Sequence, residues 1–349
     1  MKYLVLFFAF FLIGCQETPI HEQRTPSFKP TENLVIITLD GVAWDDVFED
    51  ADVLDRNFLA QYGNLYGDRN KGNKVDVLNP SAVSNPGYAE IFTGNTTDFT
   101  GNDYREGINK TVLEYINEQP NYEGHNVMAV ARGLFPYYLF RASISDFPIL
   151  TPEYITFYDE LYDTEWVYDN LDDLDLNRMY SVRKHFDDIM NEAMTMAPLL
   201  NLDVDEGEPI VYLVGKKIMS ELHTKVNYFQ FVMTDPAAHA NDRDSYLKLL
   251  ENVQVFIKDL ISYIDSDPFY RNNTSIVITT DHGRSSANFT GHGRESFLIV
   301  LNPSLNAGIV DREEQIYNAQ IAQTLAKLIG LRYEAEHEIA NEIEFYLPN

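Results

Sequence analysis

The chain has 349 residues, of which 45% are hydrophobic and 23% charged, and it carries a formal charge of −28 at neutral pH. That length buries a sizeable core in one large domain or two modest ones. The acidity argues against duplex nucleic acid and against electrostatic docking on anionic lipid, both of which need a basic footprint, and it reads as a well-solvated surface.

The first residues read as a targeting segment. Lys2 supplies a positive charge, and Tyr3 to Ile13 is an apolar run too short to span a bilayer. The run ends in Leu12-Ile13-Gly14-Cys15, which resembles the lipobox of bacterial lipoproteins. The resemblance implies a signal peptide over residues 1–15, with Cys15 acylated and the chain held to a membrane through that lipid. Gln16 rather than Asp after the cysteine implies the outer membrane of the bacterial cell envelope. Cys15 is the single cysteine, so neither a disulfide nor a thiolate metal ligand is available to the rest of the chain. Residues 16–32, with Pro19, Pro26 and Pro30, read as a tether, and residues 33–349 as the folded domain.

Asn33 to Leu39 is an apolar, β-branched strand running into Asp40-Gly41. Asp40 fits either a metal ligand at a strand end or a cap on the next helix. In Asn79 to Gly94, Ser84 stands two residues before Pro86, at the mouth of a predicted helix; it fits a plain N-cap or a group facing a bound anion. Thr111 to Glu118 reads as a helix and Asn126 to Ala131 as a strand. Residues 136–207 are dense in tyrosine, phenylalanine and acid and read as a cap inserted over the sheet, with a helix near Ser181 to Met194. Ile210 to His223 is an amphipathic helix, and Tyr228 to Thr234 a strand running into Asp235, with His239 four residues on. Ser245 to Ile264 has the apolar spacing of a long helix. Ser275 to Thr279 is a strand ending at Asp281-His282-Gly283, and His292-Gly293 follows ten residues later. Phe297 to Leu301 is another buried strand, and Gln315 to Ile329 an amphipathic closing helix. Strands alternating with helices predict a three-layer α/β/α sandwich around a largely parallel sheet.

Asp40, Asp235 and Asp281 past strand ends, with His239, His282 and His292 beside them, supply six hard or borderline ligands. Six ligands suit two divalent ions rather than one, and a two-metal site can clamp the attacking and leaving oxygens of a displacement. Carboxylate and imidazole donors without thiolate accept zinc, with manganese as the alternative. A serine at a helix mouth beside them points to ester hydrolysis through a covalent serine intermediate.

In order, Leu39-Asp40-Gly41, Ser84-x-Pro through Thr93-Gly94, Asp235-x-x-x-His239, Asp281-His282-Gly283 and Gly291-His292-Gly293 resemble the alkaline phosphatase superfamily, nearest its type I phosphodiesterase/nucleotide pyrophosphatase branch. The resemblance implies that Asp235, His239 and His292 hold one metal. It implies that Asp40, Asp281 and His282 hold the other, with Ser84 completing it as nucleophile. A small anionic phosphoester is the implied substrate, with Asn102 or Arg105 contacting its non-bridging oxygen. Two departures bear on the branch. Serine stands where those diesterases usually have threonine. Tyr88 stands where the sulfatase Ser-x-Pro-x-Arg pattern has arginine, which disfavours the alternative of a sulfatase-like hydrolase. A non-catalytic metal-binding surface lipoprotein is the rival outside the enzymes; a missing ligand would favour it, and none is missing.

Overall fold

In the computed structural model, residues 28–49, 54–96, 101–102, 110–122, 126–131, 149–150, 208–284, 292–335 and 338–347 are described. Cys15, Arg105, the helix expected over Ser181 to Met194 and nearly all of the expected cap lie outside them. In chain order the strands are β1 (Asn33–Leu39), β2 (Gly63–Tyr66), β3 (Asn73–Asp76), β4 (Val127–Val130), β5 (Ile149–Leu150), β6 (Val226–Phe231), β7 (Thr274–Thr280), β8 (Glu295–Ser296), β9 (Leu298–Leu301), β10 (Gly308–Ile309) and β11 (Glu314–Tyr317). The α-helices are α1 (Trp44–Phe48), α2 (Arg56–Leu59), α3 (Ser84–Thr93), α4 (Val112–Asn117), α5 (Glu208–Leu222), α6 (Thr234–His239), α7 (Arg243–Ser266) and α8 (Ile321–Leu328).

β1 is buried along its whole length because its neighbours cover both faces. Its side chains alternate: Leu34 and Ile36 enter one core with Tyr88, Ile91 and Phe92 of α3, Val112 and Ile116 of α4, and Ile321 and Leu325 of α8. Val35, Ile37 and Leu39 enter the other with Val47 of α1, Val211 and Met219 of α5, and Val253, Phe256 and Leu260 of α7. Helices on both faces make three layers, and a period of two in the strand divides its residues between two cores.

The main sheet has the order β10-β2-β9-β7-β1-β6-β4-β5. Pairing is parallel from β7 through β1, β6 and β4 to β5, and β9 alone runs against its neighbours β7 and β2. α7 buries Leu249, Leu250, Val253, Phe256, Ile257, Leu260, Ile261 and Ile264 at three- and four-residue spacing. Each such side chain contributes about 1.5–3 kcal/mol when fully buried. Asp242 starts the helix by accepting the Ser245 N–H at 3.1 Å. Thr111 and Glu114 form a capping box at the start of α4.

Three expectations are corrected. The segment from Gln315 does not enter a helix at once: Glu314–Tyr317 is β11, which pairs with β3 in a second, three-stranded sheet, and α8 begins only at Ile321. An available strand edge overrides the amphipathic spacing there. β6 ends at Phe231 rather than Thr234, so Asp235 lies in the first turn of α6 and not at a strand end. Ser84 is not an N-cap: Val83, in extended conformation, holds that position and Ser84 is the first helical residue. Residues 28–32, from the stretch read as a tether, lie on the domain: Thr31 hydrogen-bonds Ser275 at 2.7 Å and Phe28 rests on Phe345. No helix among the described residues is long and apolar enough to cross a membrane.

Candidate metal centre and nucleophile

Register places the first ligands. β1 and β7 are adjacent and parallel, with Leu39 opposite Thr280, so the next residues, Asp40 and Asp281, leave the sheet side by side at its carboxyl edge. Gly41 turns the chain with a φ of +68°, where a side chain would be strained, and a Cβ there would lie 2.7 Å from Asp235 Oδ1. Glycine thus lets Asp235 approach from α6. The Gly41 N–H donates to Asp281 Oδ1 at 3.1 Å, and the Asn318 amide donates to the carbonyls of Thr280 and Asp281 at 3.0 and 3.2 Å.

Asp40, Asp281 and His282 are all buried, and each offers one ligand atom within 4.8 Å of the others. His282 Nε2 is 3.4 Å from Asp40 Oδ1 and 3.5 Å from Asp281 Oδ2. Its Nδ1 lies 2.7 Å from the Gly283 carbonyl. A carbonyl only accepts, so Nδ1 carries a proton, and Nε2 is the ring nitrogen that faces the carboxylates. Burial, then the neighbouring Asp281 carboxylate, push Asp40 well above the usual aspartate range. Burial, then Asp235, push Asp281 the same way. Asp281 Oδ2 is buried without a hydrogen-bond partner. Two facing carboxylates, one of them with an orphaned oxygen, and one imidazole nitrogen form a donor set that fits a divalent cation.

α3 brings the serine to this cluster. Ser84 Oγ lies 3.4 Å from Asp40 Oδ1 and 3.3 Å from His282 Nε2. The approach depends on Gly87, where a Cβ would overlap the Asp281 carbonyl. Glu90, further along α3, accepts N–H groups from Leu78, Asn79 and Ala319 at 2.7, 2.8 and 3.1 Å and so fixes the helix to the chain around it. Burial raises its carboxyl to about 7. Asn102 accepts the Asn85 N–H at 2.9 Å, which holds its side chain at the helix mouth beside Ser84.

The other three expected ligands are arranged differently. Asp235 and His239 share one face of α6, with Nε2 3.2 Å from Oδ2, and the His239 side chain is 62% exposed. His292 contacts Glu295 Oε2 through Nδ1, while its Nε2 is 3.6 Å from Asp45 Oδ2. Among the described residues His292 is not gathered with Asp235 and His239 into a three-ligand cluster. Sequence reasoning missed the residues that connect these loops. The Arg284 guanidinium donates to both Asp45 and Asp46 at the start of α1, and Glu295 accepts from Trp44 Nε1 at 2.8 Å. The position of Arg284, directly after Asp281-His282-Gly283, was the available signal; its acidic partners, some 240 residues away, left none.

Solved structures share this architecture. The wild-type alkaline phosphatase PafA superposes with a TM-score of 0.57 at 10% identity, covering 91% of this chain and 99% of that one. The fold is that of the alkaline phosphatase superfamily. Ps i-CgsB in complex with k-i-k-neocarrahexaose matches at a TM-score of 0.53 and 16% identity, over 87% of this chain and 73% of the other. The phosphonate monoester hydrolase of Agrobacterium radiobacter matches at 0.51 and 13%, over 90% and 76%. No family model matches the sequence, and no curated protein matches it. Within this superfamily fold, the Asp40, Asp281, His282 and Ser84 group lies at the carboxyl edge of the parallel strands, where open α/β sheets bind ligands.

Proposed function

We propose that the protein is a metal-dependent phosphoric ester hydrolase, with a phosphodiester the favoured substrate over a monoester, acting through a phosphoserine at Ser84. The observation that carries the reading is the position of Ser84 Oγ, at a helix mouth and within 3.4 Å of two members of a buried Asp-Asp-His donor set. Asp40, Asp281 and His282 would hold one divalent ion, and Asp235, His239 and His292 a second; zinc fits these donors, as does manganese. Bound there, such ions supply Lewis-acid stabilisation of negative charge on the serine and phosphoryl oxygens.

Ser84 Oγ gives up its proton and forms the bond to phosphorus as one ester P–O bond breaks and its alcohol leaves. Water then cleaves the Ser84–phosphorus bond, releasing a phosphate monoester from a diester and phosphate from a monoester. The positive end of α3 favours the anionic group at its mouth. Asn102, held there by the Asn85 N–H, is placed to contact a non-bridging oxygen. His282, held through Nδ1 by the Gly283 carbonyl, presents Nε2 to the cluster. The lipobox at Cys15 supports an extracytoplasmic, lipid-anchored address.

The test is hydrolysis of aryl phosphate monoesters and diesters, with an aryl sulfate as control, by the purified full chain in zinc or manganese. Acid quenching should leave on Ser84 a phosphate from a monoester, or a phosphoryl group still bearing one ester from a diester, visible by mass spectrometry. Turnover retained in Ser84→Ala would remove the covalent step. Faster cleavage of the sulfate than of every phosphate ester would overturn the substrate class.

A further inference from the structure

We propose that Tyr88 is a positioning residue for Asp40, coupling the nucleophile helix to the metal-binding carboxylate; this rests on the reading of Asp40 as a ligand. Tyr88 lies one turn beyond Ser84 on α3, so the two side chains share a helix face. Ser84 Oγ approaches Asp40 Oδ1 at 3.4 Å, and the Tyr88 hydroxyl donates to Asp40 Oδ2 at 3.3 Å. One helix therefore addresses both oxygens of a single carboxylate. The Tyr88 ring is buried and packs in the core that contains Ile36 of β1 and Tyr228 of β6.

The direction of the hydroxyl follows from its acceptor. A hydroxyl has one proton to give and a carboxylate oxygen accepts, so that proton goes to Asp40. The carboxylate is then fixed about its Cβ–Cγ bond, with Oδ1 turned to His282 and Ser84. Outer groups that orient a ligand in this way carry much of a metal site's affinity. The same position explains the departure noted in the sequence. The residue four after the serine, where a sulfatase pattern has arginine, here points inward to the ligand instead of offering a cation.

Tyr88→Phe removes the hydroxyl and keeps the ring. Zinc and manganese titrations of the purified full chain, wild type and variant, would be followed by calorimetry. Metal content, kcat and KM on an aryl phosphate diester, and thermal unfolding of the metal-free chains would be measured alongside. The expected result is metal affinity weaker by about 10–100-fold, a lower kcat with KM little changed, and an unfolding temperature close to wild type. Unchanged metal affinity with wild-type kcat would overturn the positioning role and leave the hydrolase reading intact. Metal-free Tyr88→Phe that fails to fold would overturn it in favour of a purely structural role. A wild-type chain that binds neither metal would overturn both.

Discussion

Asp40, Asp281 and His282 differ from Asp235, His239 and His292 in what holds them before any ligand arrives. The first set is buried, follows two strands in fixed register, and is restrained by the Gly41 N–H, the Gly283 carbonyl and the Tyr88 hydroxyl. The second is distributed between a six-residue helix with an exposed histidine and a loop residue turned to Glu295 and Asp45. Backbone built into a sheet preorganises ligands at the cost of concentrating like charge; side chains on a short surface helix escape that cost but hold less geometry of their own. The lesson is that the fold itself gathers Asp40, Asp281 and His282, while among the described residues it does not gather Asp235, His239 and His292 in the same way.

That contrast can be broken most sharply at Ser84. Ser84→Ala should lower turnover by at least about a thousandfold while leaving the bound-metal content unchanged, checked by steady-state kinetics and elemental analysis. Metal lost along with activity would mean that the serine is part of the first site's framework and not its reacting group.

Next come the ligands themselves. Asp281→Ala should abolish the tighter of two metal equivalents, whereas His239→Ala should weaken the looser one and retain the tighter, both read by calorimetric titration. Equal effects would erase the distinction between the halves. An unchanged metal content in Asp281→Ala would remove that residue from the ligand set.

Proton linkage sharpens the comparison further. Asp40 and Asp281 are raised above the ordinary value of 3.8, so the metal-free chain takes up protons there that a cation must displace. Apparent affinity should therefore rise with pH, by about tenfold per unit for each proton released, seen as buffer-dependent heats. The sign for stability is the reverse. With folded values raised, these two groups stabilise the metal-free chain fully below 3.8, and that contribution is lost as pH rises through their raised values. Thermal midpoints of the metal-free chain should fall over that rise, and added zinc should reverse the fall.

The smallest expected effect is on packing. Gly87→Ala forces a methyl against the Asp281 carbonyl and should cost about 1–3 kcal/mol, measured by chemical denaturation, with α3 displaced from the first set. A neutral result would show that α3 has slack against β7.

Much of the framework was legible along the chain. The spans of β1, β4, β7, α4, α5 and α7 follow from apolar runs and three- and four-residue spacing, since periodicity records burial. The second sheet was not legible, because β11, β3 and β8 are short and gain their strand character only from pairing with one another. Nor was Tyr88, which looks like an ordinary core residue until its hydroxyl is seen to meet Asp40.

The sequence by itself supplied the candidates: carboxylate, imidazole and hydroxyl groups beside glycine turns, in an order that resembles the alkaline phosphatase superfamily. Only the tertiary structure decided which of them meet. Parallel register between β1 and β7 brings Asp40 and Asp281 together across 240 residues of chain, and a missing Cβ at Gly87 lets the serine's helix close upon them. Such contacts depend on distances between elements, and a linear pattern encodes the period of each element without the spacing between two of them.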